Sequence, residues 1–141
     1  MYKIIVFTHG ELSRSLKETA ELISGPAENV ETYGITLGCD TNLVLENVKA
    51  SIETASKNNL PVLVLTDLYF GTPFNLLMSL MSSHNFSHVT GVNLPMLLEA
   101  ISMQDDDMPM DDLAADLTEK GKEAIVDCNK FAQALLKNKE K

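Results

Sequence analysis

Two residues of this chain combine a reactive type with a telling placement. His9 stands two positions beyond Phe7, the last apolar residue of a run spanning 3–7. Asp67 stands two positions beyond Leu65, the last apolar residue of a run spanning 62–66. Neighbouring parallel strands lie about 4.8 Å apart, so equal offsets in even register bring both side chains to one level on one side of a sheet. An imidazole beside a carboxylate is a working unit: the carboxylate accepts one ring N–H, fixes the tautomer, and leaves the other nitrogen free to attack. Taken singly, each residue has an ordinary reading, the histidine as a loop residue and the aspartate as a helix cap. The residues alone leave both readings open; the matched strand-end placement is what raises the pair above coincidence.

The adjoining loops indicate what such a unit would attack. Thr8-His9-Gly10 runs into a helix near Glu11, and the stretch Asp67-Leu68-Tyr69-Phe70-Gly71-Thr72-Pro73-Phe74-Asn75 enters another. Gly71 permits close backbone approach, Thr72 offers a hydroxyl, and helix amino ends supply unpaired N–H groups, which together suit a phosphate. Gly-Thr-Pro by itself is a weak signal, since any tight turn into a helix uses it. The combined expectation is a phosphohistidine relay in which positioned dipoles stabilise the transferring group, with no metal or cofactor called for.

The elements that must hold these residues are legible in the apolar pattern. Residues 3–7 and 62–66 are short, nearly continuous apolar runs rich in β-branched residues, as in strands buried on both faces of a parallel sheet. Residues 30–35 and 88–92 are more polar and contain Gly34 and Gly91, which predicts edge strands. Helical periods occupy 11–24, 41–57, 75–84 and 95–103, with Leu45, Val48, Ile52 and Ala55 forming one stripe. The alternation β-α-β-α-β-α-β-α predicts an α/β fold, a doubly wound, mainly parallel sheet of order 2-1-3-4 with helices on both faces. In such a sheet ligands bind beyond the carboxyl ends of the strands where the winding reverses, here between the first and third strands. Beyond Met103 the pattern weakens: 112–120 reads as helix, 123–127 as a fifth strand or a helix, and 129–141 as a helix-prone tail with a fraying end.

Composition narrows the function classes. The 141 residues, 45% hydrophobic and 22% charged, suit one globular domain spanning 1–141. A chain of this size buries roughly 68–70% of its unfolded surface and needs no staples. Eleven Lys and Arg against 20 Asp and Glu give a net charge of −9, which argues against nucleic acid and anionic lipid and favours a basic partner. No apolar run approaches the ~20 residues of a membrane span, and the first ten residues lack a secretory pattern, so the expected location is the cytoplasm. Two cysteines, Cys39 and Cys128, make neither a disulfide framework nor a zinc motif. Asp105-Asp106-Asp107 reads as a solvated loop rather than a metal site, because consecutive carboxylates do not converge on one ion. His84 is expected near helix-terminal carbonyls, and His88 facing solvent on an edge strand.

Residues 1–127 resemble the enzyme IIA component of the mannose-family sugar phosphotransferase system of bacteria. The likeness rests on Ile5-Val6-Phe7-Thr8-His9-Gly10, on Thr66-Asp67-Leu68-Tyr69-Phe70-Gly71-Thr72-Pro73-Phe74-Asn75, and on Gly91-Val92-Asn93-Leu94-Pro95-Met96-Leu97-Leu98-Glu99. The resemblance implies a phosphotransferase in which His9 accepts a phosphoryl group from the histidine-containing phosphocarrier protein. The group then passes to a separate IIB component, and membrane IIC and IID subunits import the sugar. It implies Asp67 as the orienting carboxylate, Thr72 as a phosphoryl ligand beside Gly71, and a homodimer exchanging an antiparallel strand, which would account for the isolated strand-like run 123–127. A IIA-like domain of a dihydroxyacetone kinase phosphotransferase shares the fold but has a different loop after the third strand. A flavin carrier or a receiver domain would leave His9 unexplained.

Overall fold

The computed structural model describes residues 1–139. Four strands, β1 (Lys3–His9), β2 (Val30–Ile35), β3 (Val62–Thr66) and β4 (Ser87–Thr90), alternate with helices α1 (Leu12–Ser24), α2 (Thr41–Lys57), α3 (Thr72–Met78) and α4 (Leu94–Ser102). Two further helices, α5 (Met110–Glu123) and α6 (Cys128–Lys139), complete the described chain. The sheet order is β2-β1-β3-β4 with every neighbour parallel, the doubly wound α/β arrangement expected from the sequence.

The near-continuous apolar character of β1 and β3 follows from their central position, because each face of the sheet has its own cover. Ile4, Val6, Leu63 and Leu65 point to one side and pack with Ala20 of α1, Leu97 of α4, and Leu113 and Leu117 of α5. Ile5, Phe7, Val62 and Val64 point to the other and pack with Val48, Ile52 and Ala55 of α2 and Leu77 of α3. Each fully buried aliphatic side chain contributes about 1.5–3 kcal/mol relative to exposure, so the central strands anchor the strand ends that carry the site.

Local signals set the helix boundaries. Asp40 accepts hydrogen bonds from the N–H groups of Asn42 and Leu43 to start α2, and Asn93 accepts one from Met96 to start α4. Asp111 and Asp112 lie in the first turn of α5 and Lys120 and Lys122 in its last, matching the helix dipole. The third helix differs from the expected 75–84. Pro73 in its first turn starts it at Thr72, and after Met78 the chain tightens into i→i−3 hydrogen bonds from Ser79, Leu80 and Met81.

The carboxyl-terminal region also departs from expectation. Glu123 is the last residue of α5, Ala124 caps it, and 125–127 is a connector that pairs with no strand among the described residues. Ile125 and Val126 are exposed there, 79% and 54%. The expected helical tail is present as α6, all of whose residues are exposed, while 140 and 141 of that tail lie outside the described residues.

Candidate functional site

The carboxyl ends of β1 and β3 meet where the winding reverses. His9 is the last residue of β1 and Asp67 the first beyond β3. The register sets Phe7 opposite Thr66, one position away from the even register that would level His9 with Asp67. Strict alternation would then level Asp67 with Thr8. Because β3 ends at Thr66, the backbone has left the sheet at Asp67 and the carboxylate turns to His9 instead.

One oxygen makes the junction. Asp67 Oδ2 lies 3.0 Å from His9 Nδ1 and also accepts the His9 backbone N–H at 3.0 Å. A carboxylate only accepts hydrogen bonds, so Nδ1 is the ring's donor to it, and in the neutral imidazole that tautomer leaves the lone pair on Nε2. The His9 side chain is 44% exposed and that of Asp67 13%, so the carboxylate is sheltered while the ring stays open to an approaching group. Asp67 Oδ1 is buried with no hydrogen-bond partner among the described residues.

Two glycine-bearing loops fix where the ring lies. After β1, Gly10 takes a left-handed φ of +56° and its N–H donates to Ile35 O at 2.8 Å. Thr8 Oγ1 accepts the Ser13 N–H at 2.8 Å, tying the strand end to α1. A Cβ on Gly34 would lie 2.2 Å from the Gly10 carbonyl oxygen, so β2 leaves the space in which the loop sits. Thr8 and Gly34 are supports that the sequence reading missed. A glycine inside a strand commonly marks close backbone approach, which was the available signal for Gly34.

After β3, the Gly71 N–H is bonded to Leu68 O, and a Cβ at Gly71 would lie 2.7 Å from His9 Cε1. Gly71 is therefore a wall against the imidazole itself, with its amide already engaged. Thr72, exposed, opens α3 and its hydroxyl has no hydrogen-bond partner among the described residues. Phe70 is left-handed (φ +60°), and Tyr69 and Phe70 pack on Phe74 with centroids 5.2 and 5.3 Å away.

The other histidines take places that the sequence did not indicate. His88, expected to face solvent, pairs in register with Val64 on the α2–α3 side. Its Nε2 lies 2.8 Å from Thr66 Oγ1 and its ring packs on Phe74 at 5.4 Å. Burial pushes its pKa down to about 4, so it is neutral at pH 7. His84 Nε2 reaches Glu53 Oε1 at 3.0 Å, a carboxylate 31 residues away in sequence. Asp105, Asp106 and Asp107 are exposed in the turn between α4 and α5.

Comparison with known proteins places this geometry among relatives. A family model described as "PTS system fructose IIA component" (EIIA-man) matches residues 3–118. The chain is 32% identical over 123 residues to the PTS system mannose-specific EIIAB component of Escherichia coli, covering 86% of this chain and 38% of that protein. It thus spans well under half the length of that relative. It is 26% identical over 134 residues to the PTS system fructose-specific EIIA component of Bacillus subtilis, covering 94% and 90% of the two chains. The crystal structure of phosphotransferase system component EIIA from Streptococcus agalactiae superposes with a TM-score of 0.83 at 31% identity, covering 92% of this chain and 99% of that one. The mannose/sorbose specific IIA subunit of Enterococcus faecalis gives 0.77 at 29%, covering 89% and 92%. No helix among the described residues is long and apolar enough to cross a membrane.

The burial of His88 has a consequence for stability. Its folded pKa lies below its unfolded value of about 6.5, so between pH 6.5 and 4 the unfolded chain binds the extra proton. Stability contributed here is present above pH 6.5 and lost as pH falls toward 4. The urea midpoint is expected to drop through that window, and His88→Leu to flatten that part of the profile; an identical slope in the variant would contradict the assignment.

Proposed function

Because the chain belongs to the EIIA-man family of sugar phosphotransferase system components, we propose that His9 is its phosphoryl-carrying residue. The observation that carries this reading is the double acceptance by Asp67 Oδ2, which leaves Nε2 as the free, exposed nucleophile. In the forward step His9 Nε2 attacks the phosphorus of a phosphohistidine on the histidine-containing phosphocarrier protein. The donor's P–N bond breaks as the new Nε2–P bond forms, and the donor imidazole leaves. The Nδ1 proton stays with the ring throughout, shared with Asp67, whose negative charge offsets the positive character the phosphorylated ring acquires. The same balance run toward a separate IIB component returns His9 to its starting state, in support of sugar uptake through the membrane IIC and IID subunits. The relay operates in the cytoplasm.

Around the phosphoryl group, the Thr72 hydroxyl is the available donor. Gly71 serves by bounding the ring at Cε1 without a side chain that would displace it. Catalysis in such a transfer is positioning plus electrostatics, which suits a site built from loop geometry.

The relay works as a homodimer in which the segment at 123–127 adds antiparallel to the partner's sheet. Two features support this. The strand β4 ends the sheet, so one of its edges is unpaired among the described residues. A groove of about 590 Å³ runs beside it, lined by His88, Val89, Thr90, Ala114, Ala115, Thr118 and Glu119, while Ile125 and Val126 stand exposed.

With phosphoenolpyruvate and the general phosphotransferase proteins, the chain is expected to take up one acid-labile phosphate. Retention of label by His9→Ala would remove the mechanism. Asp67→Asn is expected to fold and to transfer about ten- to a hundredfold more slowly, the rate equivalent of a charge-assisted hydrogen bond of about 1.5–3 kcal/mol; an unchanged rate would show that the carboxylate does not orient the ring. Truncation after Lys120 is expected to give monomers or aggregate by sedimentation, and a well-behaved truncated dimer would count against strand exchange.

A further inference from the structure

The loop between β3 and α3 contains a conformational conflict that the Leu68–Gly71 turn bond and one side chain hold together. Phe70 sits at φ +60°, a region costly for any residue with a Cβ and free of penalty only for glycine. Left to itself, a phenylalanine there would return to ordinary backbone angles and carry Gly71 with it. Gly71 is the residue that abuts the imidazole, with the position of a Cβ only 2.7 Å from His9 Cε1. The seat of the ring therefore depends on Phe70 staying left-handed.

Asn75, in the first turn of α3, holds both residues. Its Nδ2 donates to the Phe70 carbonyl at 3.1 Å, and its backbone N–H donates to the Gly71 carbonyl at 2.9 Å. The second bond is the ordinary start of a helix and survives any side-chain change. The first is specific to the carboxamide. It ties the peptide whose orientation the left-handed angle sets to a helix that is itself packed on the core through Phe74 and Leu77.

We propose that Asn75 is a positioning residue for phosphoryl transfer at His9, acting through the Phe70 carbonyl to keep Gly71 against the ring. The inference rests on the reading of His9 as the phosphoryl acceptor. Asp67 fixes the proton and one edge of the imidazole; Asn75, through the loop, fixes the boundary at Cε1. A strained backbone angle held by its surroundings is a recurrent way of storing pre-organisation at a functional site.

The test uses the intact chain and phosphoramidate, a small donor that needs no protein docking, with phosphohistidine at His9 followed by mass spectrometry. Asn75→Ala is expected to slow phosphorylation about three- to tenfold, the rate equivalent of one ordinary hydrogen bond, without moving the urea midpoint appreciably. Adding Phe70→Gly to that variant is expected to return the rate to within about twofold of the unsubstituted chain, because glycine adopts the left-handed angle without the clasp. An unchanged rate in Asn75→Ala overturns the proposal. So does a loss that Phe70→Gly leaves unrepaired, which would place the carboxamide on the phosphoryl group instead, and so does loss of the cooperative unfolding transition, which would make the residue structural. Absence of label at His9 in the unsubstituted chain would instead overturn the underlying reading of the acceptor.

Discussion

A single carboxylate oxygen, Asp67 Oδ2, holds both the backbone N–H and the ring Nδ1 of His9. The double attachment matters because the two bonds constrain different things. The backbone bond fixes where the end of β1 lies against the loop after β3, and the ring bond fixes which nitrogen carries the proton. A histidine held only at its ring could turn with its loop; one held only at its backbone could exchange tautomers. Held at both, it offers one nitrogen in one direction, as the proposed attack on a tetrahedral phosphorus requires.

The remainder of the fold serves this junction. Central, fully covered strands place two chain ends side by side at the winding reversal, the one place in an open parallel sheet where two loops part and leave a crevice. Glycines then do steric work in opposite senses. Gly34 withdraws so that the loop after β1 can descend onto β2, and Gly71 advances so that the imidazole has a flat neighbour. The fully buried hydroxyl of Thr8 binds the first strand to its helix. None of these residues bears charge, yet each limits where the histidine–aspartate pair can be.

Much of this was legible in the sequence because it is periodic or local. The buried strands at 62–66 and 3–7 announce themselves as apolar runs, and the relative polarity of 30–35 and 88–92 puts them at the edges, which yields the strand order. What escaped depends on register or on contacts across the chain. The apolar ends of the first and third strands do not fix their register; the sheet pairs Phe7 with Thr66, and the contact forms because the aspartate has already left the strand. His88 looks like a polar residue on an exposed edge until the pairing with Val64 turns it inward. The segment 123–127 has strand-like composition without a strand partner in its own chain, and composition cannot supply one. Gly71 was marked for close approach, but its neighbour is the imidazole, a distinction visible only once the loops are folded together.

The central claim is that Asp67 fixes the proton on Nδ1 and frees Nε2, and long-range ¹H–¹⁵N correlation of the His9 ring in the unphosphorylated protein at pH 8 tests it most directly. A spectrum with Nδ1 protonated and Nε2 bare is the predicted result. A ring carrying its proton mainly on Nε2, or averaging freely between the two nitrogens, would contradict the account.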